Sequence, residues 1–377
     1  MKKNKLFLML TMLIAAFVLS SCSKSVPDYA KLIPEDASVV LRLDIRQIAK
    51  KSGSGDDKVN KKLEKAVKER FNGKLKEKML AILDDPAEAG LDLRDPVFVY
   101  RCEEREGKRE REEFGIVGAV YKESKFTDLL NVIAQESGAD EVKKDGDLSY
   151  IVLSKALITF NDDWFHIGPF NGDDAKAAAK AIAKRYDSES GSIVKDEGFV
   201  KMCKKRGLAQ LYLRGDDLYE RAQQDCYIDY YVDEFDDDPP TYQPTNPFDE
   251  INDYLGVDIK NFSVVLDLTM RNGEGSISAE LVAKNAEGKK QMKETDKMMG
   301  GKKEGFFFRF NFGIIDKIAE QFDSYNAQQA KLLTKLVKFA ELKYDGDCKF
   351  TLRVVTNDKS KTPLQSIVNI LKKEYGL

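Results

Sequence analysis

An apolar run from Leu6 to Leu19 follows a basic start at Lys2, Lys3 and Lys5, and beyond it the apolar positions settle into two periods. Alternation with period two predicts strands over Ser38–Leu43, Val97–Glu104, Glu113–Tyr121, Leu208–Leu213, Phe262–Met270, Ser276–Lys284 and Phe306–Phe310. Within Phe262–Met270, Val264, Leu266 and Leu268 share one side and Val265, Asp267 and Thr269 the other, the pattern of a sheet with a single buried face. Helical spacing predicts helices from Ile45, over Lys58–Phe71, Lys74–Leu83, Lys125–Gln135, Asp174–Lys184, Glu197–Lys204, Asp216–Ala222, Gly313–Phe322 and Asn326–Ala340, and finally over Pro363–Tyr375 behind Thr362 as N-cap. Asn272-Gly273 is a hairpin signal, because both residues tolerate positive φ, and Asp145-Gly146 and Asp345-Gly346 mark further turns.

Strand followed by helix occurs at Ser38, at Leu208 and at Phe306. A second marker also repeats: Gly90-Leu91-Asp92-Leu93-Arg94-Asp95 before one hairpin parallels Gly256-Val257-Asp258-Ile259-Lys260-Asn261 before another, 166 residues later. Hairpins with helices to cover them predict an α+β fold of repeated antiparallel sheet units, with a short third unit. The expected boundaries are a leader over 1–21, a tether over 22–32, a first unit over 33–204, a second over 205–300 with an acidic aromatic insertion at 222–259, and a third over 301–377.

The leader ends in Leu19-Ser20-Ser21-Cys22, the layout of a bacterial lipobox, and its apolar run is short for a bilayer span of about 20 residues. The expectation is an acylated Cys22 that fastens the body to a membrane. Ser23 in place of Asp points to the outer membrane, and the neutral to basic Ser23–Pro27 to the periplasmic side.

Composition narrows the chemistry. At 42% hydrophobic and 33% charged residues, the 377-residue chain is neither disordered nor fibrous. Without the leader and its three lysines, 58 basic residues face 64 acidic ones, and this mild acidity predicts no nucleic-acid partner. His166 is the only histidine, which excludes any site built on two imidazoles. It lies in a short strand beside Asp162 and Asp163 and reads as structural, since no nucleophile motif accompanies it. Cys102, Cys203, Cys226 and Cys348 read as small buried residues; a bridge, if formed, would pair Cys203 with Cys226 across the short loop. No cofactor or metal is expected.

Eleven acids and no basic residue lie between Arg221 and Lys260, interleaved with aromatics and prolines. Asp233, Glu234, Asp236, Asp237 and Asp238 are the candidate contacts to a partner or cation there, although the spacing does not match an EF-hand loop; the plainer reading is a solvated insertion pinned by its aromatics. Lys50–Lys78 is a basic counterpart whose apolar stripe is Val59, Leu63, Val67 and Phe71, and its polar face reads as solvated.

The lipobox, Ile33-Pro34-Glu35-Asp36-Ala37, the strand with Arg42 and Asp44, Lys51-Ser52-Gly53 and the Gly90-Leu91-Asp92-Leu93 turn together resemble a family of Bacteroidetes lipoproteins of unknown function. The resemblance implies no activity and no catalytic residue. The leading expectation is a non-enzymatic, lipid-anchored envelope protein that meets an envelope protein or glycan. The alternatives are a small-ligand or glycan module with its site in a cleft between units, and a hydrolase working with carboxylates.

Overall fold

A computed structural model describes residues 26–52, 57–102, 113–188, 191–232, 246–299, 307–311 and 336–366. The leader, Cys22, the Asp233–Asp238 run and the helix expected over Gly313–Phe322 lie outside the described residues.

One antiparallel sheet organises them. The first unit supplies β1 (Ala37–Leu43), β2 (Leu91–Asp92), β3 (Val97–Cys102), β4 (Glu113–Val120) and the meander β5 (Lys143–Asp145), β6 (Leu148–Leu153), β7 (Ala156–Phe160) and β8 (Trp164–Pro169). The second supplies β9 (Ala209–Arg214), β10 (Phe262–Arg271) and β11 (Glu274–Ala283), and the third β12 (Phe307–Asn311), β13 (Val337–Gly346) and β14 (Lys349–Thr356). The order is β12-β13-β14-β11-β10-β9-β1-β3-β4-β8-β7-β6-β5, with β2 on β4. β1-β3-β4 and β9-β10-β11 are therefore equivalent meanders, joined back to back through β1 and β9, where Leu41 faces Leu211.

Helices flank these strands at matching points. α1 (Ile45–Ser52) follows β1, capped by Asp44, whose Oδ1 accepts from the Gln47 amide at 2.8 Å. α2 (Asp57–Arg70), α3 (Gly73–Asp84) and α4 (Glu123–Ser137) complete one layer; α5 (Ala175–Asp187) and α6 (Glu197–Cys203) belong to the other. α7 (Gly215–Val232) follows β9, then come α8 (Pro247–Leu255) and, after β11, α9 (Ala286–Met298).

Both faces of the sheet are covered, which corrects the single buried face read from the pattern. Ile116, Ile151, Ile158 and Phe165 pack under Val67, Phe71, Met79 and Leu129 on one side. Phe98, Tyr100, Val117, Trp164, Tyr212 and Val265 meet Leu32, Ile33, Phe199 and Met202 on the other. Val265 is 1% exposed while Val264 is half-buried, packed at the margin of a third cluster around Phe262 and Leu281. Asp267 lies on the same side as Val265 because its charge is answered there: Oδ1 accepts from Gln210 Nε2 at 2.8 Å and from the Gly207 amide at 3.1 Å, and Gln210 in turn accepts from the buried guanidinium of Arg42.

Two further expectations change. Tyr29, Ala30 and Leu32 are core residues of a short 3-10 turn over Asp28–Leu32, so the end of the expected tether is packed. Val337 to Ala340 belong to β13 rather than to a helix, because these residues pair with β14 and β12. The flanks of the acidic insertion are helical, with the second flank started by Asn246, whose Oδ1 accepts from the Phe248 amide at 2.9 Å ahead of Pro247.

Candidate functional site

The Gly90 turn builds an open cleft of about 480 Å³ lined by Arg46, Asp84, Asp85, Leu91, Asp92, Arg94 and Tyr121. Its floor is set locally. Asp85 accepts from the Ala87 amide at 3.0 Å to start a 3-10 turn over Pro86–Ala89, and Gly90 ends it at φ 75°. A side chain at Gly90 would stand 2.3 Å from the Phe126 amide nitrogen, so the turn and α4 approach as only glycine permits. The Gly90 carbonyl accepts from the Tyr121 and Lys122 amides at 2.8 and 3.0 Å, which fixes Tyr121 at the rim. Lys125 and Glu88 clamp the same junction at 2.5 Å.

Arg94 is held from two sides. It grips Asp92 through Nε–Oδ1 at 2.8 Å and Nη2–Oδ2 at 2.5 Å, and its guanidinium carbon lies 5.5 Å from the centre of the Tyr121 ring. Burial disfavours the charge on Asp92, but the hydrogen bonds from Arg94 outweigh it and lower the carboxyl, the opposite of what a general acid needs. Tyr121 is 53% exposed, an open aromatic face beside guanidinium donors and carboxylate acceptors. The lining contains no serine, cysteine, histidine or lysine. Its chemistry is that of recognition: a ring to stack on, and fixed donors and acceptors to orient a polar ligand.

His166 is not in this cleft. It is 3% exposed in β8, and its Nε2 lies 2.7 Å from the Tyr100 hydroxyl, which also reaches Glu113 Oε1 at 3.2 Å. Arg185 stands 3.7 Å from the same Glu113 oxygen. The pattern is consistent when Nε2–H donates to Tyr100 and Tyr100 donates to Glu113, leaving Nδ1 bare, buried and without a partner among the described residues. Burial, aided by Arg185, depresses the imidazole to about 3, so it is neutral and inaccessible, a structural residue.

The other candidates divide similarly. Cys102, Cys203 and Cys348 are buried, as small apolar residues would be; Cys203 is closed into the core beside Met202, where burial pushes its thiol up to about 12, and the Cys226 thiol, the other end of the conditional bridge, lies outside the described side chains. Val67 on α2 and Phe71 just beyond its end are buried, while Lys68–Glu64 and Lys65–Glu69 pair along the exposed face of the helix. Among the described residues no group of three or more His, Cys, Asp or Glu is arranged to hold a metal ion. No described helix is long and apolar enough to cross a membrane. The Gly90 marker was visible in sequence; Arg46 and Tyr121, which join it from α1 and the end of β4, were not. The only local hint was the cation two residues after the marker aspartate.

A domain of unknown function, DUF4836, matches residues 29–224, a span that contains the cleft. Among solved structures, crystal form I of TP0453 is similar at 13% identity over 93% of this chain and 99% of that one, with a TM-score of 0.36; crystal form IV is similar at 13% identity over 92% and 96%, with the same TM-score. No curated protein matches the chain.

Proposed function

The chain belongs to the DUF4836 family, and we propose that it is a non-enzymatic, lipid-anchored protein of the cell envelope that binds a neutral, hydroxyl-rich glycan in the Gly90 cleft. Leu19-Ser20-Ser21-Cys22 supports the anchor, Ser23 in place of Asp supports the outer membrane, and the neutral to basic Ser23–Pro27 supports a periplasm-facing position. The observation that carries the binding role is the exposed Tyr121 ring set beside Arg94, Arg46 and three carboxylates in one open cleft. Sugar C–H faces stack on such a ring, while hydroxyls take the remaining donors and acceptors. Two guanidinium groups against three carboxylates leave the lining slightly negative, which selects against anionic glycans. The cleft lies within the first unit rather than between units. Calorimetric titration with tetra-N-acetylchitotetraose tests the reading: Tyr121→Ala should weaken binding at least tenfold, about 1.4 kcal/mol, with the fold unchanged by circular dichroism. An absence of binding by the parent protein, or equal binding by the variant, overturns it.

A further inference from the structure

The second unit repeats the chemistry of this cleft at the repeated marker. α8 ends on Gly256 at φ 64° as the 3-10 turn ends on Gly90, and each glycine is followed by an aspartate that accepts from the amide of a cation two residues on, Asp92 from Arg94 at 2.9 Å and Asp258 from Lys260 at 3.1 Å. In each unit that cation lies over a tyrosine ring. Lys260 Nζ is 4.3 Å from the centre of Tyr219, closer than Arg94 is to Tyr121. The space beside it is a cleft of about 610 Å³ lined by Tyr219, Asp249, Asn252, Asp253, Asp258, Lys260 and Gln291.

The tyrosine arrives by another route. Tyr121 directly follows β4, whereas Tyr219 stands on α7, where its hydroxyl donates to Asp249 at 2.9 Å and its carbonyl accepts from Asn246 Nδ2 at 2.9 Å. The ring is thereby set in place before any ligand arrives, which lowers the ordering cost of binding. Asn252 and Gln291 provide amide groups in the lining where the first cleft has Arg46. One ammonium against three carboxylates makes this cleft still less hospitable to anions than the first.

We infer that the cleft between Tyr219, Asp253 and Lys260 is a second, quasi-equivalent site for the same neutral, hydroxyl-rich ligand class, so that each chain carries two. The inference rests on the reading of the Gly90 cleft as a glycan site. It gives the duplication a functional consequence, since two sites on one body can hold a single polymeric strand more tightly than either alone when the strand spans them.

The test is an NMR titration of the full mature chain with tetra-N-acetylchitotetraose, followed at the backbone amides of Gly90 and Gly256, one in each turn. Both resonances should shift and saturate. Tyr121→Ala should abolish the Gly90 shift alone. The exposed-residue pair Asp253→Ala with Lys260→Ala, which leaves the Tyr219 ring and its hydrogen bonds in place, should abolish the Gly256 shift alone, each variant keeping the parent thermal midpoint. A Gly256 amide that stays still at ligand concentrations saturating Gly90, or that still shifts in the double variant, overturns the second site and leaves the first standing. If Gly90 itself does not move, the proposed function fails.

Discussion

Protonating His166 is the perturbation whose cost follows most directly from the structure, and the chain offers no other imidazole to obscure it. The side chain is 3% exposed, with Nε2 committed to Tyr100 and Nδ1 facing no acceptor, so a second proton places an unpaired cation in the core near Arg185. The folded-state value is about 3, against about 6.5 for an unfolded chain. The native state thus binds fewer protons than the unfolded state between these limits. Stability from this residue is complete above about pH 6.5 and is lost as the pH falls toward 3, at about 1.4 kcal/mol per pH unit. Between pH 6.5 and pH 4.5 the loss amounts to about 2.3 kcal/mol. Urea unfolding of the parent and of His166→Gln at pH 7 and pH 4.5 isolates it: the glutamine variant carries a constant penalty for altered packing, while the carboxylates that titrate in both proteins cancel. The stability gap between the two should narrow by about 2–3 kcal/mol on acidification. The single imidazole resonance should hold its neutral position down to pH 5. A resonance that titrates near 6.5, or parallel pH dependences, would refute the reasoning.

Gly90→Ala must accommodate both φ 75° and a 2.3 Å approach to the Phe126 nitrogen, whereas Gly138→Ala shares a φ of 73° but meets nothing within 4 Å. Thermal and chemical unfolding should therefore show a loss above about 3 kcal/mol for the first and near 1 kcal/mol for the second; equal losses would mean that the close approach is unimportant. Cys22→Ser should abolish incorporation of labelled palmitate and release the protein from the membrane fraction; retained label would remove the anchor from the account.

Near-neighbour physics makes much of the fold readable in the chain itself. Helix periodicity placed α2, α3, α4 and α6 to within two residues of their ends, Asn272-Gly273 marked the β10–β11 turn, and the two Gly-x-Asp markers stand ahead of the β3–β4 and β10–β11 hairpins. Each depends on residues a few positions apart. The candidate site was half visible for the same reason: the turn at Gly90 is local, while Arg46 and Tyr121 join it only after β1, β3 and β4 have paired.

What local pattern does not contain is the choice among partners. The apolar side of β10 in sequence, Val264, Leu266 and Leu268, is the half-buried one, because Gln210 on the neighbouring strand satisfies Asp267 and lets its side carry the tighter packing of Val265. Val337 to Ala340 suit a helix or a strand, and hydrogen bonding to β12 and β14 decides for strand. The pairing of β1 with β9 brings residues nearly 170 positions apart into register, and so places the two marked turns on one continuous sheet. Burial and pairing are properties of the assembled sheet, whereas turn chemistry and periodicity belong to the chain; the first set which charges are neutralised and which rings stay open, the second only where the elements begin and end.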